Sequence, residues 1–303
     1  MDLKVKIGKL TLHTPIICAS GTFGYSDELK GLVDFRPIGA VVAKTITLKP
    51  LAGNPPPRIY ETPRGVINSI GLENPGVEAF IKEKLPAFTK LPTRHIVSIG
   101  GYSDGEYVAC LKRLERCSGI DAYEINLSCP NLRLKKLISQ HALATSRLLK
   151  LIRKLTAKPL IIKLTPEVTD IAEIARAAEK GKADAISLVN TFFSMAINIE
   201  TRRPFIGSIY GGYSGPAIKP LALYRVWKVA QAVKIPVIGG GGITDSNDAI
   251  EFMLAGASAV SLGTVNLVYP NSATKVLEGI KAYMRRKNIN EVKRLKGSLI
   301  TKP

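Results

Sequence analysis

Residues 235–263 read IPVIGGGGITDSNDAIEFMLAGASAVSLG, and this stretch contains one complete unit of the fold. The apolar run Ile235–Gly239 leads into consecutive glycines, an amphipathic segment spans Ser246–Ala255, and a second apolar run, Ser258–Gly263, follows. Short continuous apolar runs are typical of strands that are buried on both faces. Two such strands joined by a helix predict a parallel pair.

The same alternation of strand and helix recurs along the chain, and eight strands are predicted. Because eight parallel strands can close into a barrel, we expect an α/β fold, a single (β/α)8 TIM barrel domain over residues 1–303. A doubly wound open sheet is the alternative. The predicted strands are Pro15–Ala19, Gly39–Lys44, Arg94–Ile99, Asp121–Leu127, Pro159–Leu164, Asp184–Asn190, Ile235–Gly239 and Ser258–Gly263. The predicted helices are Asp27–Leu32, Gly76–Leu85, Asp104–Cys117, Leu137–Thr156, Thr169–Lys180, Lys219–Val233, Ser246–Ala255 and Ser272–Arg286. Helix start signals are present at Ser103-Asp104, Thr169-Asp170 and Asp245-Ser246.

Two connections are too long for ordinary loops between a strand and a helix. Residues Thr45 to Pro75 follow strand 2, and residues Thr191 to Pro220 follow strand 6. Both leave the carboxyl ends of strands, so we expect both to cover the same face of the barrel. Long loops in compact domains usually have a function.

The composition is ordinary for a folded protein except for its charge. Hydrophobic residues make up 46% and charged residues 22%, which argues against a disordered, collagenous or coiled-coil chain. The formal net charge is +19, and a basic field attracts nucleic acid, acidic lipid, an acidic subunit or a small anionic substrate. The basic residues of the tail Lys281–Pro303 are more simply a solvated face. With no apolar run of about 18 residues and no secretory signal in residues 1–9, a cytoplasmic location is expected.

The four cysteines include no CxxC pair, so we expect no disulfide framework, metal site or iron–sulfur cluster on this chain. Cys18, Cys110 and Cys117 fit the pattern of small buried hydrophobes. Cys129 differs, because it lies in the segment NLSCPN (residues 126–131) on the loop that leaves strand 4. A thiol with an ordinary pKa of about 8.5 can act as a general base where nearby cations favour the thiolate.

Small or polar residues end nearly every predicted strand, and in a barrel these ends meet at one mouth, where active sites are built. Two of them are lysines, which are rarely buried without a partner. The glycines after strand 7, followed by the helix start at Asp245-Ser246, and Gly263-Thr264 after strand 8 favour a phosphorylated ligand. The strand-end residues are Ser20, Lys44-Thr45, Ser98, Asn126, Lys163, Asn190-Thr191, Gly240–Gly242 and Gly263-Thr264.

These motifs, taken in order, resemble the class 1 dihydroorotate dehydrogenases, flavin enzymes of pyrimidine synthesis, over nearly the whole chain. The matching segments are Ala19–Gly24, Lys44–Thr47, Gly53–Pro55, Pro57-Arg58, Asn68–Leu72, Asn126–Asn131, Asn190-Thr191, Ser214–Pro220, Gly240–Ile243 and Gly263-Thr264. Within the class, Glu61–Pro63, Gly71–Gly76 and Tyr210–Gly215 look like subclass 1B. The resemblance implies a homodimer of this chain within a heterotetramer, whose second subunit carries FAD and a [2Fe–2S] cluster and passes electrons to NAD⁺.

The resemblance also implies one FMN at the barrel mouth and a role for each matched residue. Cys129 would remove the C5 proton of (S)-dihydroorotate while a hydride passes from C6 to FMN, giving orotate. Lys163 would lie near the flavin edge that gains negative charge on reduction. The residues expected to bind FMN are Ser20, Lys44, Thr45, Ser98, Asn126, Lys163, Val189, Gly215, Gly241, Gly242, Gly263 and Thr264. Those expected to bind substrate are Lys44, Asn68, Ser69, Ile70, Gly71, Leu72, Asn126, Asn131, Asn190 and Thr191.

The sequence departs from subclass 1B at two places. Residues Leu132–Leu137 replace a loop that usually contains glycine, and Ser98 stands where many relatives have asparagine. Two other functions remain alternatives: a dihydrouridine synthase, which would use the positive charge to bind RNA, and a basic barrel that acts only as a binding subunit. A dihydrouridine synthase would need an added helical domain, for which no length remains. Loss of activity is hard to reconcile with the set Lys44, Asn126, Cys129, Lys163 and Asn190.

Overall fold

The computed structural model describes residues 1–25, 27–29, 31–127 and 138–301. Eight parallel strands, β1–β8, close into a barrel, so the predicted TIM barrel is confirmed and the open-sheet alternative is wrong. Each barrel strand overlaps one of the predicted apolar runs. The strands are β1 (Ile16–Cys18), β2 (Ala40–Val42), β3 (Arg94–Ile99), β4 (Ala122–Asn126), β5 (Leu160–Lys163), β6 (Ala185–Leu188), β7 (Val237–Gly240) and β8 (Ala259–Leu262).

Helices follow the strands around the barrel, and three of them begin at predicted caps. The side chains of Ser103, Asp170 and Asp245 each accept a hydrogen bond from the backbone of the helix that they precede. Such bonds satisfy amides that have no partner within the helix. The helices are α1 (Gly76–Ala79), α2 (Leu85–Phe88), α3 (Asp104–Leu114), α4 (Ala142–Arg153), α5 (Ile171–Lys180), α6 (Lys219–Ala232), α7 (Ser246–Leu254), α8 (Val265–Val268) and α9 (Ser272–Arg286).

Three predicted helices differ from those observed. The helix expected over Asp27–Leu32 is a 3-10 turn, Asp27–Leu29, because Gly31 takes a positive φ of 83° that ends the helical path. The helix expected over Gly76–Leu85 continues to Phe88 through a π-helical turn, Phe80–Lys84. The helix expected to start at Leu137 begins at Ala142, after a 3-10 turn, and Leu137 lies outside the described residues.

The two long connections join to form one antiparallel sheet, which we call the roof. Two of its strands come from the insertion after β2 and two from the insertion after β6. Asn68 pairs with Gly212 and Val66 pairs with Ser214, so the two insertions are hydrogen-bonded to each other. The expectation that both cover one face of the barrel is confirmed. In spatial order the roof strands are Phe192–Ser194, Gly211–Ser214, Gly65–Asn68 and Ile59–Thr62.

The opposite end of the barrel is closed by a hairpin, Val5–Ile7 paired with Leu10–Leu12. Its turn packs so closely that a Cβ on Gly8 would lie 2.8 Å from the Cβ of Asp184, at the start of β6. A second small pair, Ile197–Asn198 with Arg203–Pro204, lies within the insertion after β6. Within the described ranges, no helix has the length and apolar character required to cross a membrane.

The interior of the barrel becomes polar toward the mouth. Side chains two residues apart on a strand point to the same face, and residues paired across neighbouring strands share that face. Ser98 of β3 pairs with Glu124 of β4, and one layer higher Asn126 pairs with Lys163 of β5. Lys163 in turn pairs with Ser187 of β6. Polar side chains from four adjacent strands therefore gather beneath the roof.

Candidate active site

A cavity of about 500 Å³ lies between the carboxyl ends of the strands and the roof. Its volume falls in the range of small-molecule sites, about 300–1,000 Å³. The barrel provides one wall and the roof residues Ile59, Val66, Asn68 and Ser214 provide the other. The predicted site residues that line it are Ser20, Asn68, Ile70, Lys163, Val189, Asn190, Thr191, Gly215, Gly241, Gly242, Gly263 and Thr264.

One end of the cavity is suited to an anion. Gly241 and Gly242 have φ values of +115° and +85°, which residues other than glycine rarely adopt. A Cβ on Gly241 would lie 2.8 Å from the Cβ of Ala222, and one on Gly242 would lie 2.8 Å from the backbone nitrogen of Lys219. Glycine is therefore required at both positions, and helix α7 begins a few residues later. Exposed backbone amides near a helix N-terminus favour a phosphate group.

The anion end is tied to the roof by a hydroxyl pair. Thr264, directly after β8, donates a hydrogen bond of 2.8 Å to the Oγ of Ser214. Ser214 directly precedes Gly215 in the roof and also lines the cavity. It was not among the expected site residues, although its position in the Ser214–Pro220 motif was the signal that could have identified it. The missed cavity residues also include Ser187, Ser261 and Thr244.

Lys163 provides a positive charge at the wall of the cavity. It ends β5 and is half-buried. Over the ranges that the structure describes, its amine has no hydrogen-bond or ion-pair partner. A half-buried amine without a carboxylate beside it stabilises negative charge on whatever occupies the cavity.

Beneath the cavity, a chain of hydrogen-bonded side chains runs into the barrel. Ser20 and Thr45 lie 3.3 Å apart between their hydroxyl oxygens, and Thr45 lies 2.9 Å from the hydroxyl of Ser98. Ser98 donates to Glu124 Oε1 at 3.0 Å, and the amide nitrogen of Asn126 donates to Thr45 at 3.1 Å. Thr45, Ser98 and Asn126 are buried under the cavity and reach it through Ser20. Glu124 was not predicted, because its place among apolar strand residues gave no sign that it faces the barrel interior.

Several expected site residues lie outside the cavity lining. The amine of Lys44 is 3.9 Å from Glu73, which also pairs with Arg58 at 2.7 Å. Ser69 is buried and accepts a hydrogen bond from Asn54, and Gly71 and Leu72 follow with positive φ. The sequence did not predict that Lys44 pairs with Glu73 or that Ser69 pairs with Asn54. Both contacts hold the loop after β2. Cys129 and Asn131 lie outside the described residues.

An exposed apolar rim, which we define as Leu267, Val268 and Tyr269, borders the cavity at the end of α8. These side chains are 58–61% exposed. The rim was not predicted, although a run of apolar residues after Thr264 was visible in the sequence. Because exposed apolar groups beside a cavity often mark contact sites, the rim is a candidate surface for a partner.

An ion pair holds helix α6 against α7 behind the anion end. The Lys219 amine donates to Asp248 at 2.7 Å and to Glu251 at 3.1 Å. The hydrogen bond that the Lys219 amine donates to Asp248 raises the pKa of Lys219 above its ordinary value. Burial acts to raise the pKa of Asp248, but the hydrogen bonds from Lys219 and Thr244 outweigh it and hold that pKa below the usual range. Asp248 is therefore charged at neutral pH and fixes the glycine loop through both contacts.

The family model that matches the chain is that of dihydroorotate dehydrogenase, over residues 2–284. The chain is 49% identical over 298 residues to the "dihydroorotate dehydrogenase B (NAD(+)), catalytic subunit" of Thermodesulfovibrio yellowstonii, with 98% of each chain covered. It is 48% identical over 300 residues to the protein of the same description from Thermoanaerobacter sp., with 99% of each covered. These likenesses confirm the resemblance inferred from the motifs.

Among solved structures, the chain is similar to the DHODH of Eimeria tenella crystallised with ferulenol. The TM-score is 0.83 at 24% sequence identity, with 98% of this chain and 88% of that chain covered. At this identity the likeness supports the fold.

We expect Lys219→Met to lower the free energy of unfolding by about 1–3 kcal/mol at pH 7, because it leaves a largely buried carboxylate unpaired. The pKa of Asp248 is lowered in the folded state, so this contribution is present above its unfolded pKa of about 3.9 and is lost as the pH falls through the folded value. The difference between variant and wild type should therefore shrink at pH 3. Urea titrations at both pH values measure it.

The matched control is Lys228→Met, which removes a more exposed ion pair to Asp170, 2.9 Å long. It should cost less than about 1 kcal/mol at either pH. Equal losses in the two variants would contradict the structural importance of the Lys219 contact.

Proposed function

The chain belongs to the dihydroorotate dehydrogenase family, and we propose that it oxidises (S)-dihydroorotate to orotate in pyrimidine biosynthesis, with FMN as its flavin. The proposal takes residues 1–303 as one FMN-binding barrel domain. The observation that carries it is the cavity beneath the roof, which combines an anion-binding glycine loop with the unpartnered amine of Lys163 in the part of the chain that is described. The sequence identity of 48–49% to two catalytic subunits of dihydroorotate dehydrogenase B supports the same enzyme class.

The described residues fit FMN by their chemistry. Gly241, Gly242, Gly263 and Thr264 would hold the phosphate, since the backbone at the first two leaves no room for side chains and their amides lie near the start of α7. Lys163 would hold the flavin edge that becomes negative, and Val189 would pack against the ring. When bound, FMN supplies a two-electron acceptor for the hydride at C6 of the substrate.

The substrate is an anion with two ring amides, which suits the amide-rich side of the cavity. Asn68 and Asn190 offer both donors and acceptors, and Asn190 Oδ1 already accepts from the backbone of Thr191 at 2.8 Å. Asn68 donates to the carbonyl of Gly212 at 3.2 Å, which fixes the direction of its amide. We assign Cys129 as the base that removes the C5 proton, together with Asn131 as a substrate contact, on the motif alone.

Lys44 is included as a residue that contacts both substrate and flavin, with Thr45, Ser98 and Asn126 below it. To contact substrate and flavin, the Lys44 amine must move away from Glu73. The distance of 3.9 Å between the amine and the Glu73 carboxylate makes this a loose ion pair. Ser69, Ile70, Gly71 and Leu72 would bind substrate through the loop after β2.

The exposed rim and the +19 charge support an acidic electron-transfer partner that carries FAD and a [2Fe–2S] cluster. We also propose a homodimer within that heterotetramer, and a cytoplasmic location, which suits the free thiols of Cys18, Cys110 and Cys117.

The first test is an anaerobic visible spectrum of the purified chain. A flavin band near ~450 nm should bleach when dihydroorotate is added. In Cys129→Ala the band should persist near neutral pH while FMN content is unchanged, because the proton at C5 has no acceptor. A colourless wild-type protein that cannot be reconstituted with FMN would contradict the proposed cofactor, and unchanged turnover in Cys129→Ala would contradict the assigned base.

Lys163→Ala should weaken FMN binding or slow its reduction by about tenfold or more, because it removes the charge that stabilises the reduced ring. FMN content after dialysis and the rate of bleaching measure the two effects separately. Lys182→Ala, at an exposed position between α5 and β6, is the control and should change neither. If Lys163→Ala keeps both properties, Lys163 has no role in the site.

The native complex should contain a second chain with FAD and iron–sulfur absorbance. Val268→Asp on the rim should weaken association with that chain by about tenfold, because it places a charge in an apolar contact. Bleaching by dihydroorotate should remain. The control is Ile300→Asp, which should leave the association unchanged. Ile300 is 88% exposed, and the backbone amide of its neighbour Leu299 donates to the carbonyl of Leu254, the last residue of α7. A native complex without a second chain would contradict the proposed partner.

A further inference from the structure

Ser187 has a buried hydroxyl that the proposed chemistry does not yet use. The residue lies on β6, is 6% exposed and lines the cavity. Its Oγ has no hydrogen-bond partner within the part of the chain that the structure describes. A buried hydroxyl without a partner costs free energy, since it has lost its hydrogen bonds to water. Because Ser187 borders the cavity, a bound molecule can supply the missing partner.

Other hydroxyls at this end of the barrel already have partners. The hydroxyl of Ser98 donates to Glu124 at 3.0 Å, and that of Thr264 donates to Ser214 at 2.8 Å. Those bonds hold the geometry of the site. The fold gains no described side-chain hydrogen bond from Ser187, whereas alanine would avoid the cost of its buried hydroxyl. A ligand therefore explains this serine better than stability does.

The pairing of strands places Ser187 beside Lys163. The two residues are register partners on β6 and β5, so both side chains point into the barrel in the same layer. The amine of Lys163 likewise has no partner among the described residues. An ammonium group and a hydroxyl that lie side by side present two donors to one edge of a bound molecule.

We propose that Ser187 donates a hydrogen bond to the flavin edge that Lys163 also contacts, and that this bond stabilises reduced FMN more than oxidised FMN. The inference rests on the proposed function. The edge gains negative charge on reduction, and a hydrogen bond to a charged acceptor is roughly twice as strong as one to a neutral acceptor. Ser187 and Lys163 together would then raise the reduction potential of the bound flavin.

A buried hydroxyl that supports the fold and one that serves a ligand respond differently to removal. Removal of a hydroxyl that supports the fold lowers the Tm even when no ligand is bound. A hydroxyl kept for a ligand destabilises the ligand-free chain, so its removal leaves the Tm unchanged or raises it. Ser187 should behave in the second way.

The experiment makes two measurements on Ser187→Ala and wild type. Thermal unfolding of the FMN-free chain gives the Tm, and titration of the FMN-loaded chain against reference dyes gives the reduction potential. Ser187→Ala should keep or raise the Tm and should lose about tenfold in affinity for reduced relative to oxidised FMN. For a two-electron couple this lowers the potential by about 30 mV. Ser187→Thr keeps the hydroxyl and should retain the wild-type potential.

Thr14→Val is the matched control, because it removes a buried hydroxyl that has a partner at the opposite end of the barrel. Thr14 is 4% exposed and donates to the carbonyl of Pro37 at 2.6 Å. This variant should lower the Tm of the FMN-free chain and leave the potential unchanged. An unchanged potential in Ser187→Ala would overturn the proposal and leave the hydroxyl to bind water alone. A Tm lowered as far as in Thr14→Val, or a potential in Ser187→Thr as low as in Ser187→Ala, would overturn it too.

Failure of the inference differs from failure of the proposed function. A wild-type chain that cannot be loaded with FMN contradicts the function itself. A wild-type chain that binds FMN and bleaches with dihydroorotate, with a potential that Ser187→Ala leaves unchanged, contradicts the role of Ser187 alone.

Discussion

The site depends on the hydrogen bonds that close the barrel. Each of the eight strands is paired with two neighbours, and this fixes the register of side chains that are far apart in sequence. The pairing of Asn126 with Lys163, and of Lys163 with Ser187, follows from that register. A shift of one residue in any strand would turn a polar group of the mouth toward the surrounding helices and an apolar one into the cavity.

Closure also places polar groups where water is scarce, and these groups are of two kinds. Thr45 and Ser98 are bonded to each other and to neighbours, so they form a rigid floor. Lys163 and the glycine loop instead face the cavity, with the amine of Lys163 unpaired among the described residues. Groups that are already satisfied hold the geometry, while groups that await a partner favour a ligand of opposite charge.

The sequence predicted what depends on local pattern. The eight strands, the caps at Ser103, Asp170 and Asp245, and the glycine loop were all predicted from short segments, because burial and capping act over a few residues. The pairing of Lys44 with Glu73 and the direction of Glu124 could not be predicted, since both depend on contacts between separate segments. A helix was expected over Asp27–Leu32, but only a 3-10 turn forms at Asp27–Leu29, because the positive φ of Gly31 ends the helical path. Cys129 and Asn131 lie outside the described residues, and their roles stay predictions from the motif.

The roof joins two insertions whose paired strands are more than a hundred positions apart in the chain, as Asn68 and Gly212 show. Contacts between such distant residues carry a high loop-closure cost and form slowly unless the intervening chain is already compact. The strands between them belong to the barrel, so the barrel must largely exist before the roof can form. An incompletely folded chain would therefore lack the upper wall of the cavity, and this protein would gain its capacity to hold a ligand late in folding.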